Sequence, residues 1–249
     1  MENAVQKNNV LRENHDPMGR AIADYYKNGV AGRLRVFSSM FDEDEIPVAH
    51  LFREEDEMGE LELKALELSK GCVLDVGAGA GCHALALQER GLMVTAIDVS
   101  PLSVDVMANS GIEDARLVNL YDTKLDEKFD TILMLMNGSG IIGKIANMPQ
   151  FFARIDKLLA DGGQVLMDSS DLIFLFEDED GGADIDLAGD YYGEVDFMLQ
   201  YKNIKGETFD WLYVDFATLA FYAAENGFEA ELVKQGEHYD YLARLTRKE

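Results

Sequence analysis

The stretch VLDVGAGAGCHALALQERG, residues 73–91, decides how this chain is read. A short apolar run ends in glycines at 77, 79 and 81, and a helical pattern starts directly after them. Without a Cβ, backbone at such a strand-to-helix step approaches a ligand closely, and helix N–H groups point at it. Asp98 ends the next apolar run, 21 residues after Gly77, where an acid accepts hydrogen bonds from ribose hydroxyls. Glycines and acid together specify a nucleoside-containing cofactor. The alternative reading, a tight turn and a loop aspartate, explains each feature singly but not their spacing.

Outward from this stretch, short apolar runs alternate with helical patterns, which predicts βα units and a parallel sheet. Strands are expected at Cys72 to Val76, Met93 to Ile97, Arg116 to Val118, Thr131 to Met136 and Gln164 to Met167. Ser100-Pro101 opens one intervening helix, and Phe151 to Leu159 carries another before Gly162-Gly163. Upstream, Asp16-Pro17 starts an amphipathic helix that Gly29 stops, RLRVFS (33–38) alternates like a strand, and Met58 to Leu68 has helical periodicity. Downstream, 170–190 holds eight acids and no base; Val195 to Tyr201 and Phe209 to Tyr213 then read as a hairpin. Asp215 caps a further helix, and strands follow at Glu229 to Lys234 and Tyr239 to Leu245. The expected organisation is a cap over 1–70, a cofactor-binding core over 71–169, an acidic loop and hairpin insertion over 170–214, and a return to the core over 215–249.

The finer glycine spacing selects the cofactor. A dinucleotide fingerprint, G-x-G-x-x-G, would need glycine at 82, where Cys82 stands. The glycines instead follow G-x-G-x-G, with Asp75 two residues ahead. This D-x-G-x-G-x-G pattern resembles motif I of the class I S-adenosylmethionine-dependent methyltransferases. Later landmarks agree in order: Asp98 in AIDVS, Phe129-Asp130 ahead of a fourth strand, and Leu-Leu-Ala-Asp-Gly-Gly (158–163) before a fifth. The resemblance implies an α/β fold: a Rossmann-like open seven-stranded, mostly parallel sheet with helices on both faces, here with an N-terminal cap and a β-hairpin insertion after strand five.

The same resemblance implies site roles. Gly77, Ala78, Gly79 and Gly81 would line the methionine and ribose portion of S-adenosyl-L-methionine, and Asp75 would sit near its amino group. Asp98 would bind the ribose hydroxyls, Val99 would pack on adenine, and Asn119 and Leu120 would flank it, with Asp122 a second polar choice. Met136 and Asn137, after strand four, would face cofactor and acceptor.

Methyl transfer from a sulfonium needs alignment, exclusion of water, and removal of a proton where the acceptor carries one. The candidates for that last task are Asp168 and Asp171 after strand five, Asn137 as an orienting group, and His50 in PVAHLFRE. Capping of the following turn is the better account of at least one of the aspartates, and a surface or cap-packing position explains His50. Cys82 and His83 read as packing and surface residues, Tyr25 and Tyr26 as part of a helix face, and the acidic runs at 42–45, 54–57 and 177–180 as solvated loops. Tyr191, Tyr192 and Trp211 form either an aromatic wall or hairpin packing.

The 249 residues include 47 Asp or Glu against 22 Lys or Arg, a formal charge of −25. That balance argues against nucleic acid and anionic membrane as partners. Two cysteines, Cys72 and Cys82, make neither a disulfide framework nor a metal cluster. No stretch has signal-peptide character, so the expectation is a cytoplasmic enzyme, monomer or homodimer, methylating a small molecule. An NAD(P)-dependent oxidoreductase and a non-catalytic S-adenosylmethionine-binding module are the alternatives. The acids concentrate in 31–70, with 11 against 5 bases, and in 170–190, the segments expected to frame the site. Neutral or cationic acceptors are favoured on that ground.

Overall fold

The computed structural model describes residues 10–177, 182 and 189–248. In chain order its elements are α1 (Pro17–Asn28), β1 (Leu34–Phe37), β2 (Asp44–Ile46), α2 (Glu60–Leu68), β3 (Cys72–Val76), α3 (Cys82–Glu89) and β4 (Met93–Asp98). Next come α4 (Pro101–Asn109), β5 (Asp114–Leu117), β6 (Phe129–Met134), α5 (Met148–Leu158) and β7 (Leu159–Ser170). The chain closes with β8 (Glu194–Tyr201), β9 (Ile204–Lys205), β10 (Phe209–Leu212), α6 (Phe216–Glu225), β11 (Phe228–Gln235) and β12 (Asp240–Arg247). No described helix is long and apolar enough to cross a membrane.

Seven strands form the main sheet in the order β11-β12-β7-β6-β3-β4-β5. Neighbours from β7 to β5 pair in parallel, and β12 runs against both of its partners. Alternation along each strand feeds two cores. Leu74, Ile132, Val165 and Ala243 join Phe151, Phe152 and Phe228 on one face. Val73, Leu133, Leu166 and Leu242 join Leu66, Leu87 and Met107 on the other. A sheet buried on both sides needs such near-continuous apolar runs. Because β4 and β6 leave β3 on opposite sides, the chain reverses direction around β3, and a crevice opens at the carboxyl ends there. The glycine loop after β3 lies at that point.

Strand boundaries differ from expectation where side chains or bulges intervene. Strand β6 stops at Met134, two residues early, because Met136 and Asn137 take left-handed conformations with φ of 64° and 56°. Strand β7 starts five residues early, at Leu159, and runs through Gly162-Gly163. The pairing register with β6 shifts between Phe129 and Thr131, so those glycines mark a bulge instead of a stop.

The cap and the insertion are one structure. Strand β8 pairs with β10 on one side and β1 on the other, and β2 extends the row, giving β10-β8-β1-β2 with β9 also on β8. Leu34 faces Tyr201 across this join. The Tyr201 ring is fully buried; its hydroxyl donates to Asp24 Oδ2 at 2.9 Å and accepts from the Gly32 N–H at 3.0 Å. Helix α2, expected with the cap segment, packs instead in the second core through Leu61, Ala65 and Leu66, and Gln164 donates to the Leu68 carbonyl.

The acidic runs are tied down as well as solvated. Arg33 and Arg35 hold Glu45 and Glu43, and Arg90 holds Glu55. Glu177 accepts from the Tyr239 hydroxyl at 3.1 Å, while 178–180 lies outside the described residues.

Helix α1 forms as its sequence dictates. Asp16 accepts from the Gly19 N–H at 2.8 Å, Pro17 occupies the first turn, and Gly29 closes the helix at φ 71°. Asp16 is also fully buried and accepts from the Ser100 hydroxyl at 2.5 Å, which pins α1 beside the end of β4. Loss of cap and pin in Asp16→Ala should destabilise the fold by about 2 kcal/mol, measured by urea unfolding. A change below about 0.5 kcal/mol would show that the cap is dispensable.

Candidate functional site

The crevice is built around the turn from β3 to α3. The N–H groups of Gly77 and Ala78 both donate to the Ile97 carbonyl, and the Gly79 N–H donates to Asp98 Oδ2 at 2.9 Å. Sequence-distant Gly79 and Asp98 are thereby brought together. Gly79 has φ of 60° and nothing within 4 Å of where a Cβ would stand, so the loop offers bare backbone to open space. Gly81 serves packing: a Cβ there would strike Ile112 and press on Met107. The three glycines thus divide their work, and Gly81 lines no open surface.

Asp98 accepts a second bond, from the Ser100 N–H at 2.8 Å. The chain N-terminal to α1 crosses this rim, where the Leu11 N–H donates to the Val99 carbonyl at 2.7 Å. Asp75 is buried at the base of the crevice, and its Oδ2 has no hydrogen-bond partner. Burial pushes the carboxyls of Asp75, Asp98 and Asp168 up to about 6. An orphaned buried carboxylate oxygen is costly unless a ligand supplies a donor.

Across the crevice stands the loop after β6. The Asp168 carboxylate accepts from the N–H groups of Met136 at 3.1 Å and Gly138 at 3.0 Å, which holds the left-handed residues between them. Asn137 Oδ1 accepts from the Ser170 hydroxyl at 2.8 Å. The following turn, Gly138–Ile142, presents Ile141 to Gly77, so the two loops face one another. Trp211 lies flat enough on Gly140 that any side chain there would collide with the indole. The Ser139 hydroxyl donates to the Leu212 carbonyl and accepts from the Ser169 hydroxyl, joining the turn to β7 and β10.

On the adenine side, Asn119 Oδ1 accepts from the Tyr121 N–H at 2.9 Å. Leu120 departs from expectation: its side chain is 3% exposed and packs with the main core, leaving only backbone for a cofactor. His50 lies in the turn Val48–Phe52, exposed, while its neighbours Leu51 and Phe52 pack with Ala80 and Ile22 at the glycine loop. Partial burial and the Arg53 charge lower the His50 pKa.

Beneath the loop is a buried ionic cluster that sequence reading missed. The Arg53 side chain is 2% exposed and pairs with Glu62, which also binds His83 Nε2 at 2.6 Å and the Gly59 N–H at 2.9 Å. These bonds hold the Glu62 carboxyl down at about 2 despite burial. His83, expected at the surface, is therefore a buried structural group. Cys82 beside it is buried, and desolvation pushes its thiol up to about 11, so it packs as a small apolar residue. In the sequence the only signal was a histidine on the apolar side of α3.

Tyr191 and Tyr192 donate to Asp215 at 2.6 Å and Asp171 at 2.7 Å, and their rings touch at 4.6 Å between centroids. Asp171 also caps the turn Leu172–Leu175 through the Ile173 N–H. Tyr25 stacks on Phe52, and Tyr26 reaches the Asn109 carbonyl.

A parallel sheet reversing at a glycine loop, with an acid closing that loop from the next strand, defines a Rossmann-like enzyme for a nucleoside cofactor. A family model described as a methyltransferase domain matches residues 74–165. The chain is 60% identical to a SAM-dependent methyltransferase from Bacteroides fragilis crystallised with S-adenosyl-L-homocysteine, covering 98% of this chain and 99% of that one with a TM-score of 0.93. The chain belongs to the S-adenosylmethionine-dependent methyltransferases, and S-adenosyl-L-methionine is its cofactor. Two more distant structures share the fold. The sugar N-methyltransferase KedS8 from Streptoalloteichus sp. ATCC 53650 is 15% identical, over 84% of this chain and 96% of that one, with a TM-score of 0.55. DhpI in complex with SAM and HEP is 17% identical over 94% of both chains, with a TM-score of 0.57. No curated protein matches the chain. The family assignment displaces the oxidoreductase reading and the non-catalytic one.

Proposed function

We propose that this methyltransferase alkylates a small neutral or cationic acceptor by in-line displacement. The observation that carries the reading is the second sheet, whose β10 end lays Trp211 over the turn facing the glycine loop. A cover fixed by ring-on-backbone packing suits an enclosed acceptor better than a polymer. The acids concentrated in 31–70 and 170–190 favour a cation over an anion.

The cofactor supplies a methyl group activated on a sulfonium. Toward it, Gly77, Ala78 and Gly79 present bare backbone, Asp98 takes the ribose hydroxyls, and Val99 and Asn119 border the adenine. The unpartnered Oδ2 of Asp75 accepts from the amino group. Asp168, already engaged by backbone N–H groups, acts as a positioning residue that shapes the Met136–Gly138 loop instead of taking a proton. Asn137 orients the acceptor through its free amide nitrogen. His50 remains the group able to take a proton from a hydroxyl or ammonium acceptor. The enzyme is a cytoplasmic monomer or homodimer in this reading.

Production of S-adenosyl-L-homocysteine, followed over a panel of small amines, alcohols and carboxylic acids beside tRNA and denatured peptide, tests the proposal. Turnover with a small amine or alcohol is expected. Turnover confined to polymers or to carboxylic acids would overturn it.

The raised carboxyls also set a pH dependence. A folded-state pKa of about 6 against an ordinary 3.8 means that the folded chain binds protons more tightly between those values. Stability of the cofactor-free protein should therefore rise as pH falls from 7 toward 5. Glu62 has the opposite sign: its contribution is complete above its ordinary 4.5 and is lost as pH falls toward 2. Thermal unfolding across this range should show a maximum near pH 5, moved upward by S-adenosyl-L-homocysteine, which favours ionised Asp75 and Asp98. A cofactor-free profile that climbs from pH 5 to 8 contradicts this.

A further inference from the structure

Seven basic residues lie between positions 71 and 169. Three hold carboxylates: Arg90 that of Glu55, Arg116 those of Asp114 and Glu127, and Lys144 that of Glu194. The other four, Lys124, Lys128, Arg154 and Lys157, make no ion pair in direct contact among the described residues, although the charges of Asp122 and Asp126 act on Arg154. All four stand on two segments, 121–128 and 150–157, which wall a cleft of about 410 Å³ that Arg154 and Lys157 line and that includes no residue of the glycine loop. In a chain of charge −25, a gathering of unpaired cations calls for an explanation.

The cleft is lined by Tyr121, Thr123, Asp126, Gln150, Arg154 and Lys157 around Ala153. Arg154 spends Nε on the Leu120 carbonyl at 2.5 Å and Nη2 on those of Asp122 and Leu125, both at 2.7 Å. Its Nη1 has no protein partner among the described residues. Lys128 donates to the Lys157 carbonyl at 2.9 Å, bringing a further cation to the same wall. The Tyr121 hydroxyl is buried with no hydrogen-bond partner, and burial pushes its pKa up to about 12, so it remains a neutral donor. Arg154 Nη1, the Lys157 ammonium and the Tyr121 hydroxyl, which have no protein acceptor among the described residues, share one ligand chemistry, that of an oxyanion. Asp126 on the rim restricts the charge it tolerates.

We propose that this cleft is a second binding site, for a small ligand bearing a phosphoryl or carboxylate group held by Lys157, Arg154 Nη1 and the Tyr121 hydroxyl. Arg154 couples it to the cofactor site. The loop it staples begins at Asn119, and the adjoining Val118 N–H donates to the Asp98 carbonyl at 3.1 Å. An anion that fixes the guanidinium tightens the loop beside Asp98, and linkage requires the cofactor to tighten the anion equally.

Inorganic phosphate and acetate, each titrated against chloride at matched ionic strength and followed by thermal unfolding, test the site. A saturable rise is expected with one oxyanion, and whichever has the lower midpoint identifies the ligand class. Lys157→Ala, at an exposed position, should raise that midpoint about tenfold. Tyr121→Phe should leave the ligand-free melting temperature unchanged and raise the midpoint at least threefold. Saturating anion should strengthen S-adenosyl-L-homocysteine binding at least twofold in calorimetry. General salting effects rise without saturation and persist in both variants. That pattern, or an S-adenosyl-L-homocysteine affinity indifferent to the anion, overturns the proposal.

Discussion

Asp98→Ala is expected to weaken S-adenosyl-L-homocysteine binding by about 100-fold in isothermal titration. Two ribose hydroxyls donating to one carboxylate contribute about 1.5 kcal/mol each, and about 1.4 kcal/mol is a factor of ten. The substitution also frees the Gly79 and Ser100 N–H groups, which lose their 2.9 Å and 2.8 Å bonds, so the glycine loop loosens along with the sugar contact. Asp98→Asn separates the two contributions. It keeps an acceptor oxygen for one backbone N–H but turns the other arm into a donor that repels its partner. A folded Asp98→Ala protein that binds S-adenosyl-L-homocysteine within threefold of the original would remove Asp98 from the cofactor site.

Breaking the cluster beneath the loop should give the largest loss of stability. Glu62→Ala leaves the Arg53 guanidinium, 2% exposed, without its counter-charge, and buried charges stripped of a partner cost about 3–5 kcal/mol. In a chain of this size that lowers the melting temperature by roughly 10 °C. The companion experiment is the double variant Glu62→Leu with Arg53→Met, which removes both charges. It should recover most of the loss, because apolar replacement of a whole buried pair is close to neutral. A double variant no better than Glu62→Ala would mean that the carboxylate acts through His83 or Gly59 and not through Arg53.

The main sheet was legible because its signals are local. The Val73 to Gly91 stretch, Asp98 and Ser100-Pro101 each carry strand, turn or cap chemistry in adjacent residues, and β3, α3 and α4 form where these place them. What was hidden depends on partners distant in sequence. The pairing of β1 with β8 leaves no trace in either strand, since each alternates like any half-buried strand. The contacts of Asp168 were equally hidden, because a carboxylate gripping backbone N–H groups of another loop looks the same in sequence as a free acid. Arg53, Glu62 and His83 lie in three different segments, and nothing in any one announces the other two. Gly162-Gly163 misled for the opposite reason: a local stop signal was overridden by the long strand built around it.

The join between β1 and β8 also bears on how the molecule is made. Gly32 and Tyr201 meet across 169 positions, so one side of β1 has no partner until β8 has been synthesised. The main sheet, assembled from neighbouring βα units, has lower contact order and is expected to form first. The β1–β2 pair waits meanwhile with the β8-facing edge of β1 open, exposed to wrong partners in a crowded cell. The carboxylates of β2 and of the turn ahead of it, Glu43, Asp44 and Glu45, put negative charge beside that edge and so keep it apart from other chains until β8 arrives.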